Sequence, residues 1–157
     1  MKTFKGEVTS ISGNQVLVVT TNTQGRQGAG IAKWAHDNLG LPHGCSKGRY
    51  GRCYCIITKD LTKKTHPSIP NIYIVRQIIS LYEHAYWEYR LYGTEFIVPF
   101  VAGSTPLSGY SVEDFAWMFS SIPIPENIIF EEGFAEILKK KLALQQRTAE
   151  NNREADI

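Results

Sequence analysis

The run QVLVVTTNTQGRQGAGIAKWAHDNLG, Gln15 to Gly40, restricts what this chain can fold into more than any other part of it. Val16 to Thr21 are apolar or β-branched without alternation, the pattern of a strand covered on both faces. Ile31, Trp34, Ala35 and Asn38 then mark a short helix, and Gly40 and Pro42 end it with a left-handed cap and a missing N–H. A doubly covered strand that feeds a helix through one short loop belongs in a layered α/β domain.

The rest of the chain repeats this alternation. Phe4 to Thr9 reads as an earlier strand, set off by the Gly13-Asn14 turn. HGCSKGRYGR is a polar, glycine-rich loop leading into the strand CYCIITK. In HPSIPNIYIVRQIISLYEHAYWEYRLYG, Ser68 and Pro70 precede a long helix with an apolar stripe at Ile72, Val75, Ile79, Tyr82 and Tyr86, and Gly93 lies beyond its end. EFIVPFVAG follows as a strand in which Pro99 must sit where its nitrogen owes no ladder bond. Ser111 and Asp114 form a capping pattern that opens a helix carrying Phe115, Met118 and Phe119. ENIIF is a last strand and FAEILKKKLAL a last helix. The predicted order is ββαβαβαβα, a three-layer α/β/α domain with a mixed central sheet over residues 1–142. A polar tail, 143–157, reads as frayed helix or disorder.

At 157 residues and 43% hydrophobic, the chain can bury one sizeable core. Its 17 basic and 15 acidic residues leave a net charge of +2, too little for a global attraction to nucleic acid or membrane, so any anion site must be local. MKTFKGEV lacks the apolar run of a signal peptide, and no segment nears the roughly 20 apolar residues that span a bilayer. A soluble, cytoplasmic protein is expected. Cys45, Cys53 and Cys55 are odd in number, as suits reduced thiols, and with His43 they show no Cys-x-x-Cys spacing; neither metal nor cofactor is expected.

Ligands of open α/β sheets bind outside the C-terminal ends of the strands, where this sequence has two glycine-rich loops. The first holds Asn22, Gly25, Gly28 and Gly30 ahead of a helix start, whose free N–H groups favour negative charge. It is neither a P-loop nor a dinucleotide fingerprint, and a plain tight turn is the competing reading. The second, GSTPLSGYS, Gly103 to Ser111, adds the hydroxyls of Ser104, Thr105 and Ser108 before a second helix start, so that a diphosphate could lie between the two. Lys59 and Asp60 end a third strand with side chains on opposite faces. A lysine in a partly apolar cleft can act as a nucleophile, although most strand-end lysines are simply solvated.

Taken in order, these pieces resemble a macro domain over roughly Lys5 to Leu138. Gly6-Glu7-Val8-Thr9 falls on that family's opening Gly-Asp-(Ile or Val)-Thr segment with Glu for Asp, Asn22 on its asparagine, and Gly28-Ala29-Gly30-Ile31-Ala32 on its first loop. CYCIITKDLTKKTHPS is similar to the branch that includes terminal ADP-ribose protein glycohydrolase and ADP-ribose 1″-phosphate phosphatase, in which a strand ends in Ile-Thr-Lys. VPFVAGSTPLSGYSVEDF resembles that branch's second phosphate loop, with Ser108 where the hydrolytic members carry an Asp.

The resemblance implies an ADP-ribose cleft. Glu7 and Val8 would lie near the adenine, and Phe130 would stack on it. Gly28, Ala29, Gly30 and Ile31 would hold the diphosphate from one side, and Gly103, Ser104, Thr105, Ser108, Gly109 and Tyr110 from the other. Asn22 would face the distal ribose, and Lys59 would attack its anomeric carbon. The implied function is hydrolysis of an ADP-ribose derivative: an ADP-ribosyl ester or glycosidic link, O-acetyl-ADP-ribose, or ADP-ribose 1″-phosphate. The alternative is a module that binds or sequesters ADP-ribose or a related NAD-derived nucleotide without cutting it, as Ser108 in place of a carboxylate base favours. Nucleic-acid binding through Lys47, Arg49 and Arg52 ranks below both, because no repeated basic face accompanies that short patch.

Overall fold

The computed structural model describes residues 1–155. Its elements are β1 (Thr3–Phe4), β2 (Gln15–Asn22), α1 (Gly30–Leu39), β3 (Gly48–Tyr50), β4 (Cys53–Lys59), α2 (Asn71–Tyr92), β5 (Glu95–Val98), α3 (Val112–Ser120), β6 (Ile128–Glu131) and α4 (Glu132–Ala155). They form one six-stranded sheet in the order β1-β6-β5-β2-β4-β3. Every neighbouring pair is parallel except β3 with β4, so the sheet is mixed.

The unbroken apolar run of β2 is explained by what covers it. Val16 and Val18 join one core cluster with residues of α2, α3 and α4, while Leu17 and Val19 join a second cluster with Ala32 and Ala35 of α1. Alternate residues of one strand therefore feed two cores on opposite faces. Cys53 and Cys55 sit together in the second cluster, and burial pushes their thiols up to about 11 and about 12. Buried and protonated, they behave as small apolar side chains.

Several expectations need correcting. Only Thr3–Phe4 pairs as a strand at the N-terminus, and Gly6 at φ +77° breaks the extended run that follows. The polar loop ahead of β4 contains an additional strand: Tyr50 pairs with Cys53 across a tight Gly51-Arg52 hairpin loop, with Gly51 at φ +55°. The observed order is therefore ββαββαβαβα. Pro99 falls one residue past β5, where no ladder bond is required. Helix α2 ends at Gly93 as expected, yet its buried residues are Ile74, Gln77, Ile78, Leu81, Tyr82 and Ala85, and Ile72, Ile79 and Tyr86 face outward. The last helix continues through the tail to Ala155 with its final turns exposed; Asp156 and Ile157 lie outside the described residues. Among the described residues no helix is long and apolar enough to cross a membrane.

Candidate ligand-binding cleft

The parallel strands β2, β4 and β5 end on one edge of the sheet, and the segments that follow them surround a cleft of about 940 Å³. That volume suits a ligand of nucleotide size. Its deep wall is apolar, with Val18, Ile56, Ile74 and Phe115 reaching it from the larger core cluster. Its rim is polar and carries Arg26 and Lys59 against a single carboxylate, Glu7. Two cations facing one anion at the mouth of a low-dielectric wall favour a negatively charged guest.

The register at the strand ends brings the two central polar residues together. Between Thr21 and Asn22 the β2–β4 pairing shifts by one, so Asn22 stands opposite Lys59, and Thr23 N donates to Lys59 O at 3.0 Å. Both side chains line the cleft. Lys59 is half-buried, and its Nζ has no hydrogen-bond or ion-pair partner among the described residues. Asn22 is differently employed: its Nδ2 donates to Arg26 O at 2.8 Å, and its Oδ1 accepts from Gln24 N at 3.2 Å and Arg26 N at 3.0 Å. It holds the first glycine loop in shape.

That loop is further constrained at Gly25, with φ +64°, where a side chain would meet the backbone of Gly44 at 2.5 Å. Beyond it, Gly28, Ala29, Gly30 and Ile31 line the cleft at the start of α1, and Ala29 at the N-cap supplies no side-chain bond. The amides of this first turn are thus left for a ligand.

The second helix start is different. Ser111 Oγ accepts from Asp114 N at 3.0 Å while the Asp114 carboxylate accepts from Ser111 N at 2.9 Å, a reciprocal cap that occupies the N-terminus of α3. The capping pattern expected at Ser111 and Asp114 is thus present, and of the two helix starts expected to flank a diphosphate only that of α1 is free. From that loop Gly103, Ser104, Thr105 and Ser108 line the cleft. Ser104 is held by bonds from its N and Oγ to Val101 O, and Ser108 Oγ accepts from Tyr110 N at 3.3 Å.

Glu7 and Val8 also line the cleft, but three other expected residues do not. Phe130 is fully buried in the β6 row of the core, between Phe119 and Phe134, and cannot stack on a ligand. Gly109, at φ +90°, is pressed against the His66–Pro67 backbone, and Tyr110 donates its hydroxyl to Ile69 O at 2.6 Å. Both fasten the second loop to the β4–α2 connection. Asp60 points away from Lys59 into its own turn, where bonds first from Thr62 and then from Thr23 hold its carboxyl below the usual range.

Four contributors were not expected from the sequence. Trp34 and Phe100 are half-buried aromatics on the cleft wall, and Arg26 adds the second cation. Trp34, four residues into the helix, and Phe100, directly after Pro99, were visible as aromatics next to the loops. Glu131, buried at the end of β6, was not: it accepts from Phe134 N at 3.0 Å, and the backbone of Gly133, Gly6 and Ala102 lies near enough to help lower its carboxyl. It joins the segment carrying Glu7 to the one carrying Gly103. Among the described residues no group of three or more His, Cys, Asp or Glu is arranged to hold a metal ion. Comparison with family models, curated proteins and solved structures finds no match to this chain.

Proposed function

We propose that the chain is a macro-domain-like protein that binds ADP-ribose or an ADP-ribosyl derivative in this cleft. The observation that carries the reading is the meeting of the uncapped start of α1 and the Gly103–Ser108 loop around one cleft on the C-terminal edge of β2, β4 and β5. The diphosphate lies between them, with backbone amides of Gly28 to Ile31 on one side and the Ser104 to Ser108 segment on the other. Adenine goes to the Glu7 and Val8 end, and Trp34 and Phe100 replace Phe130 as the aromatic surfaces offered to it. Calorimetric titration with ADP-ribose tests this: one saturable site per chain is expected, and no binding at millimolar ligand would overturn it.

A second reading, hydrolysis of the bound derivative, is favoured by one observation: Lys59 lines the cleft without a partner, opposite Asn22. Its Nζ would attack the anomeric carbon of the distal ribose, displacing the attached group, and water would then release ADP-ribose. Against it, Ser108 is no carboxylate and Asp60 is turned away, so binding ranks first. Lys59→Ala is expected to bind ADP-ribose within about threefold of the parent. If the parent releases ADP-ribose from an ADP-ribosylated protein, the variant must lose that release by about a hundredfold or more. Equal release by both would remove Lys59 from the chemistry.

A further inference from the structure

Helix α2 has two apolar faces, and the fold uses one. Ile74, Ile78, Leu81 and Ala85 are buried among the sheet and α3. On the other side Ile72, Ile79 and Tyr86 recur every seventh residue at 51%, 38% and 48% exposure, with Trp87 beside them at 61%. Seven residues are two turns, so the three form one stripe along the helix rather than scattered exposures. Single exposed apolar residues are ordinary, whereas a contiguous stripe marks an interaction surface. The stripe residues do not line the cleft.

The charges along the stripe select its occupant. Arg76 and Glu83 share its seven-residue spacing, both are exposed, and neither has an ion-pair partner among the described residues. About 10.5 Å of helix separates them, too far to pair within one chain. We propose that α2 pairs antiparallel with α2 of a second copy, about a two-fold axis beside Ile79 and Ser80. In that register Arg76 of each copy meets Glu83 of the other, and Ile72 and Tyr73 meet Trp87 and Tyr86. The two-fold turns one matched pair into two, as a self-complementary interface requires. Residues 71–88 overlap in both copies, nearly the whole helix. Sliding the copies to pair Glu83 with Arg90 would leave only 81–92 overlapping and strip Ile72, Tyr73 and Ile79 of partners.

Sedimentation equilibrium of the full chain over a concentration series tests the pairing. The expected result is a mass twice that of the chain, with association weakened about tenfold or more in both Ile79→Glu and Glu83→Arg. The double variant Arg76→Glu/Glu83→Arg restores the charge match across the two-fold and is expected to return to within about threefold of the parent. Far-UV circular dichroism of each variant, read beside the mass, is expected to match the parent because the substituted positions are exposed. A parent that stays monomeric to millimolar chain overturns the proposal. So does a dimer that survives both single changes, or a double variant no tighter than Glu83→Arg.

Discussion

Asn22 illustrates how far a residue can be read before its surroundings are known. Its place at the end of a buried strand, ahead of the glycines, followed from the pattern of apolar residues. Its bonds to Gln24 and Arg26 did not, because they depend on how the loop doubles back. Asn22→Ala should therefore loosen the loop and weaken ADP-ribose binding about tenfold, a loss of roughly 1.4 kcal/mol that suits the removal of several loop bonds. Calorimetry on the variant checks this, and unchanged affinity would show that the loop needs no such staple. Gly109 is a second case. Its glycine looked like part of a phosphate loop, yet an added Cβ would come within 2.8 Å of Pro67 N at a φ of +90°. Gly109→Ala should destabilise the fold by about 1–3 kcal/mol, seen in denaturant unfolding. Phe130 failed as a ligand contact for a related reason: β6 is buried on both faces, and the packed Phe119 and Phe134 enclose the ring in the core.

Among the elements, those with strong local signals were legible and those settled by tertiary packing were not. The capping box at Ser111, the Gly40 and Gly93 helix ends, and the doubly covered β2 follow from short-range rules. The inward face of α2 was misassigned because the helix carries two apolar stripes, and periodicity alone cannot rank them. Strand β3 was missed although Gly51-Arg52 is a hairpin signal; polar neighbours hid it, and α2 helps hold it through the Arg49 contact with Glu88 and His84. Glu131 governs a junction that no local rule describes. Burial alone would raise its carboxyl, but backbone N–H groups of Phe134, Gly133, Gly6 and Ala102 outweigh that and hold it below the usual 4.5. Because the folded value is the lower one, its stabilisation is present above about pH 4.5 and lost as pH falls through the folded value. Glu131→Gln should cost about 2 kcal/mol at neutral pH, and the gap from the parent should close progressively below about pH 4.5. Denaturant unfolding across that range checks it; a pH-independent gap would contradict the role given to the charge.

For the molecule as a whole, the three layers and the parallel body of the sheet were readable from the alternation of strands and helices, since the rules of α/β connection leave few other arrangements, whereas the antiparallel pair that makes the sheet mixed comes from β3. The cleft was readable in outline for the same reason: strand ends of a parallel sheet gather loops on one edge. What the alternation could not supply was which loop residues turn inward, because Ser108 and Tyr110 differ by two positions yet one lines the cleft and the other braces Ile69. If ADP-ribose binds as proposed, the α1 start and the Gly103 loop hold one diphosphate between them. Nitrogen-15 NMR of the full chain titrated with ADP-ribose addresses it directly. The amides of Gly28, Gly30 and Ile31 and those of Gly103, Ser104 and Thr105 are expected to shift together and saturate at one ligand per chain, while Phe130 stays in place. Shifts confined to one loop, or none at all, would contradict it.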